Sequence, residues 1–164
     1  MRKVKIGFSK STKKLPLFSW AVRLWDGTPY SHCYTEFENR RHPELPLIYQ
    51  ASHDMMNFMS RPVFETENEV IEEFLIEVSD EAYDHLLYKA IQIVGKPYGV
   101  KQILGIVVAR LFNLNYNPFE TKADTYICSE WCAIVLEELG YVLPKDRNLL
   151  TPKDIHKVLK WTRS

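Results

Sequence analysis

Strand-like and helix-like patterns are segregated along this chain, and that segregation constrains its fold more than any other feature. Val4 to Phe8, Ser31 to Phe37, Leu47 to Ala51 and Phe74 to Val78 alternate or run apolar in the manner of strands. Met55 to Met59 and Pro62 to Phe64 are ambiguous, with a short strand expected near Val63. A single helical pattern, Leu17 to Trp25, interrupts the strands, and Asp26-Gly27-Thr28-Pro29 stops it. From Ser79 onward the pattern is helical. Ser79-Asp80 cap a helix from about Glu81 to Val94, and a second helix, Val100 to Phe112, is apolar over most of its surface and expected to be buried. A third opens at Cys128 and closes at Gly140, and a last one is capped by Thr151, started by Pro152 and runs through Lys160. The order β-α-β-β-(β)-β-α-α-α-α predicts an α+β fold whose strands form an antiparallel meander.

Residues 1–164 show no repeat, linker or low-complexity stretch, so a single domain is expected, large enough to bury roughly two thirds of its unfolded surface. Lys plus Arg and Asp plus Glu are 21 each, which leaves no overall field to draw the protein to nucleic acid. The basic amino-terminal residues Met1 to Ile6 are not followed by the apolar run of a signal peptide, and a cytoplasmic location is expected. The three cysteines are an odd number, and Cys128 and Cys132 lie one helical turn apart, which fits a reducing compartment rather than a disulfide framework.

The position of Cys128 bears most directly on chemistry. It follows the strand-like stub Thr125-Tyr126-Ile127 and begins the amphipathic helix Ser129 to Leu139. A thiol at a helix N-terminus faces unpaired backbone N–H groups and the positive end of the helix dipole, and both favour the thiolate. Such a nucleophile needs a base. His32 begins a strand directly after the Thr28-Pro29-Tyr30 turn, where alternation sets it and Cys33 on opposite faces. Imidazole titrates near neutral pH and suits that task, although a single strand histidine is more often part of a core. Gln50 lies on the next strand among apolar neighbours, and its amide oxygen next to an imidazole would fix the tautomer and aim the other ring nitrogen at the thiol. The alternative is an edge-strand glutamine in water. His53 is a weaker candidate for the same role. Cys132 sits among Ala133, Val135 and Leu136 and reads as an inert buried thiol, so no metal site and no cofactor are expected.

Read in order, Tyr30-Ser31-His32, Ile48-Tyr49-Gln50-Ala51-Ser52, Gly95-Lys96-Pro97-Tyr98, Tyr126-Ile127-Cys128-Ser129-Glu130 and Leu150-Thr151-Pro152-Lys153-Asp154 resemble the circularly permuted branch of the NlpC-type papain-like hydrolases. The likeness runs from about Val4 to Leu159, and the histidine precedes the cysteine, which is the permuted order. It implies a papain-like antiparallel sheet with the nucleophile at the N-terminus of a packed helix. It implies Cys128 as nucleophile, His32 as base and Gln50 as the third polar residue, where many permuted relatives carry Glu. Tyr98 would line the cleft, and Tyr98 and Ser129 would join the Cys128 backbone N–H in binding substrate or the oxyanion. The implied function is a cysteine peptidase or amidase that opens an amide or ester carbonyl through a thioester.

Two other functions stay open at this level. One is lipid-directed acyl transfer or thioester hydrolysis, since permuted relatives resemble lecithin:retinol acyltransferases. Ile103 to Ala109, flanked by Lys101 and Arg110, would then press weakly on a membrane surface, against the expectation of a buried helix. The other is a binding domain of the same fold without catalysis.

Overall fold

The computed structural model describes residues 1–12, 17–51, 54–119 and 125–162. Five strands form one sheet: β1 (Arg2–Ser11), β2 (His32–Phe37), β3 (Leu47–Ala51), β4 (Met56–Ser60) and β5 (Asn68–Val78), in the order β4-β3-β2-β1-β5. Every neighbouring pair is antiparallel. Among the described residues six α-helices accompany them: α1 (Leu17–Asp26), α2 (Arg61–Glu67), α3 (Asp80–Ile93), α4 (Val100–Leu111), α5 (Cys128–Glu138) and α6 (Pro152–Trp161). The α+β class and the antiparallel sheet are as the sequence predicts; the meander holds for β1 to β4, whereas β5 returns to the other edge and pairs with β1. Among the described residues no helix is long and apolar enough to cross a membrane.

Strand alternation divides the sheet into two unequal faces. Val4, Ile6 and Phe8 of β1, with Cys33 and Phe37 of β2, meet Leu86 of α3, Trp131 and Val135 of α5, and Ile155 of α6 in the main core. The opposite face holds a smaller cluster of Tyr34 and Ile48 under Phe64 of α2. Charge surrounds that second cluster. The Arg61 guanidinium donates to Glu36 at 2.6 Å and Glu73 at 2.8 Å, while the Tyr34 hydroxyl donates to Glu73 at 2.8 Å. Glu36 is almost wholly buried, and its pairing with Arg61 and Lys5 meets the cost of taking it out of water.

Two expectations from the sequence are corrected. The residues around Val63 form α2, not a strand, and Val63 is exposed. Pro62 explains the outcome: it has no N–H for a sheet ladder, and it suits the first turn of a helix. The second correction concerns α4, which is buried along one side only. Gln102, Gly105, Ile106 and Ala109 face inward, while Val100, Leu104 and Leu111 are exposed. A polar pin sets this rotation. The Asn117 amide donates to the carbonyls of Gln102 and Asn148 at 2.9 and 3.1 Å, and a Cβ at Gly105 would overlap that amide.

Candidate active site

Helix α5 lies across the main face of the sheet, held by Trp131. Its indole N–H donates to Thr35 of β2 at 2.8 Å, and its ring meets Tyr49 of β3 edge-on at 4.7 Å. This anchor sets the first turn of α5, and with it Cys128, beside the start of β2. The residue before the helix, Ile127, has no side-chain oxygen, so no side-chain cap occupies the opening N–H groups. Cys128 is 6% exposed.

The three residues expected to act together do meet. The His32 Nε2–H donates to Gln50 Oε1 at 2.7 Å, because an amide oxygen can only accept. With Nε2 committed to Gln50, Nδ1 is the ring nitrogen left to interact with Cys128. The other end of the Gln50 amide is also held: its NH2 donates to the Met59 sulfur of β4 at 3.3 Å. A thioether cannot donate, so Met59 keeps the amide nitrogen on its own side and the oxygen toward His32.

Electrostatics agree with this geometry. The Cys33 thiol hydrogen-bonds to Cys128 and favours its thiolate; burial opposes this; the His32 charge and hydrogen bond add to it. The outcome is a Cys128 thiol held well below the ordinary thiol range. Burial pulls the His32 imidazole down, but Cys128 and Gln50 outweigh it and raise the ring above its ordinary value. Cys33 is pushed well up by burial and by its thiol neighbours Cys128 and Cys132. It therefore stays a protonated donor. Among the described residues, no three His, Cys, Asp or Glu side chains are set to hold a metal ion.

Cys33 is the functional neighbour that sequence reasoning missed, because alternation sets it opposite His32. Both reach Cys128 because the β2–β3 ladder ends at Thr35↔Tyr49. Beyond that pair the start of β2 has no β3 partner, and the first turn of α5 meets it there. Met59 was missed as well; no pattern in the sequence marks a methionine as the partner of a glutamine.

Tyr98 is brought to the site by backbone lacing. The Gly95-Lys96-Pro97-Tyr98-Gly99 turn bonds to Tyr126 on both sides, Tyr126 N–H to the Pro97 carbonyl at 3.1 Å and Gly99 N–H to the Tyr126 carbonyl at 2.9 Å. Burial lifts the Tyr98 phenol well above its ordinary range, and Cys128 and Cys33 lift it further, so it remains an O–H donor. Ser129 is different. Its hydroxyl donates to the Leu150 carbonyl at 2.7 Å, which commits that proton elsewhere and leaves Ser129 as part of a wall. His53 and Ser52 lie outside the described residues.

A cavity of about 300 Å³ opens beside Cys128. Val22 and Trp25 of α1 form one side, Ile103, Ile106 and Val107 of α4 another, and Tyr98, Ile127, Ser129 and Leu150 the floor nearest the thiol. The lining is overwhelmingly apolar. Its one strong polar feature is the Arg110–Asp26 pair at 2.6 Å, which ties α4 to α1.

No protein-family model matches the chain, and no curated protein is similar to it.

Proposed function

We propose that this protein is a cysteine hydrolase of the circularly permuted NlpC-type papain-like kind, opening an amide or ester carbonyl through a thioester on Cys128. One observation carries the reading: a thiol at a helix N-terminus without a side-chain cap lies beside an imidazole whose Nε2 is held by Gln50, close enough that each shifts the other's titration. A nucleophile, a base and a group that orients the base are the parts acyl transfer needs. The resemblance of the five sequence motifs supports the same assignment.

In this mechanism the proton of Cys128 passes to Nδ1 of His32, and the thiolate attacks the carbonyl carbon. The oxyanion that forms is met by the backbone N–H of Cys128 and by the Tyr98 hydroxyl, each well-placed donor contributing on the order of 3–4 kcal/mol. Collapse expels the amine or alcohol, which takes the proton from His32, and leaves the acyl group on sulfur. A water then gives its proton to His32, attacks the thioester, and the carboxylic acid departs as the thiolate is restored.

The character of the cavity favours a second reading at the same site, lipid-directed acyl transfer or thioester hydrolysis. Walls of Val, Ile, Leu and Trp accept an alkyl chain and offer little to the charged side chains of a cell-wall peptide. Hydrolysis of p-nitrophenyl alkanoates and of the matching acyl anilides tests both. Hydrolysis of either series that disappears in Cys128→Ala and in His32→Ala supports the proposal. A rate that Cys128→Ala leaves unchanged contradicts it and returns the chain to a binding domain.

A further inference from the structure

We infer that the face formed by α1 and α4 is a membrane-docking surface that seats the rim of the Cys128 cavity on an anionic phospholipid layer. The argument begins with what these helices leave uncovered. Trp20, Leu24 and Trp25 of α1 are about half or more exposed, as are Leu104 and Leu111 of α4 and Phe112, which follows it. Helical spacing puts Leu104 and Leu111 on one stripe, next to the stripe of Ile103, Val107 and Arg110 that lines the cavity. Trp25 both lines the cavity and is half exposed, so it stands at the rim. The Arg110–Asp26 ion pair joins the two helices, which makes these side chains parts of one surface. Exposed apolar side chains gathered on one surface mark an interaction site.

Charge identifies the occupant. Helices α1 and α4 carry Arg23, Lys101 and Arg110 and no exposed acidic residue; their one acid, Asp26, is buried and paired with Arg110, so Arg23 and Lys101 leave the face positive. The whole chain, by contrast, has 21 basic and 21 acidic residues, so the acidic ones are concentrated elsewhere. Apolar and aromatic residues interleaved with basic ones and free of exposed acids are the signature of a helix lying in the interface of an anionic bilayer. Tryptophan favours that depth. A second copy of the chain fits the face less well, because a twofold contact would bring two positive faces together. At ten and twelve residues, α1 and α4 lie on a membrane rather than cross it.

Docking in this orientation brings the cavity rim to the level of the acyl chains, which gives an apolar substrate a path to Cys128 without passing through water. The docking itself does not rest on the catalytic reading; only that delivery does.

The test is co-sedimentation of the Cys128→Ala protein with vesicles of phosphatidylcholine containing phosphatidylglycerol, against vesicles of phosphatidylcholine alone. The expected result is binding to the anionic vesicles that weakens as salt is raised. Leu24→Ser with Phe112→Ser should weaken it at least about tenfold, since both side chains would leave the apolar layer. Those residues are 67% and 72% exposed, so the double variant should fold with an unchanged melting temperature. Lys101→Glu should weaken binding to anionic vesicles without altering the fold. Three outcomes overturn the proposal: no binding to anionic vesicles, binding unchanged in the double variant, or a concentration-dependent dimer that the double variant disperses. Because the nucleophile is absent from this experiment, a failure of the catalytic reading leaves its result untouched.

Discussion

The imidazole of His32 stands between a thiol and a neutral amide, and that choice of partners sets its charge. Gln50 holds the ring through Nε2 without adding a negative charge, so Cys128 does most to raise the imidazole and the Gln50 hydrogen bond adds to it. The sign of the pH dependence follows. A depressed Cys128 keeps its thiolate as pH falls below the ordinary thiol value of about 8.5, and a raised His32 keeps its proton as pH rises above about 6.5. The kcat/KM profile should therefore be a plateau between an acidic limb from Cys128 and an alkaline limb from His32. Gln50→Glu should move the alkaline limb to higher pH, because a carboxylate at that distance favours the imidazolium. Gln50→Leu should lower kcat roughly a hundredfold by releasing the ring. A profile whose limbs do not move in Gln50→Glu would remove Gln50 from this role. The placement of Cys128 and Gln50 was legible in the sequence because each rests on local order, a helix start and a polar residue in an apolar strand. Cys33 was not, since its contact with Cys128 depends on where the β2–β3 ladder stops.

Helix α5 is the element on which the geometry of the site depends, and Trp131 fastens it. Trp131 is fully buried, and its one polar atom is satisfied by Thr35 on the strand that carries His32. Trp131→Phe removes that bond and leaves a small void, which should cost about 1–3 kcal/mol in thermal or denaturant unfolding. The same change should slow alkylation of Cys128 if the anchor also positions the thiol. An unaltered alkylation rate would restrict Trp131 to stability. Helix positions were read well from the sequence where caps marked them, as at Ser79, whose hydroxyl accepts from Ala82 N–H, and at the Thr151–Asp154 capping box. They were read badly where burial mattered more than pattern. The composition of α4 suggested a wholly buried helix, yet the buried side is built around Gln102 and Gly105 and pinned by a distant asparagine.

At the scale of the whole molecule the cavity joins parts of the chain that no local reading connects. Its walls come from α1 and α4, its floor from the turn holding Tyr98 and from the first turn of α5, and the Arg110–Asp26 pair joins two of the walls. Val107→Trp should fill part of the 300 Å³ and depress kcat/KM for long-chain p-nitrophenyl esters more than for acetate. Equal losses at every chain length would place the acyl group outside this cavity. All of these expectations depend on the thiol being activated by its neighbours. That is tested most directly by the pH dependence of iodoacetamide alkylation, read by mass spectrometry at Cys33, Cys128 and Cys132. The account requires Cys128 to react fastest, with an apparent pKa well below the ~8.5 of a free thiol, and to lose that advantage in His32→Ala. A Cys128 that titrates like a free thiol, or one whose reactivity His32→Ala leaves unchanged, would contradict it.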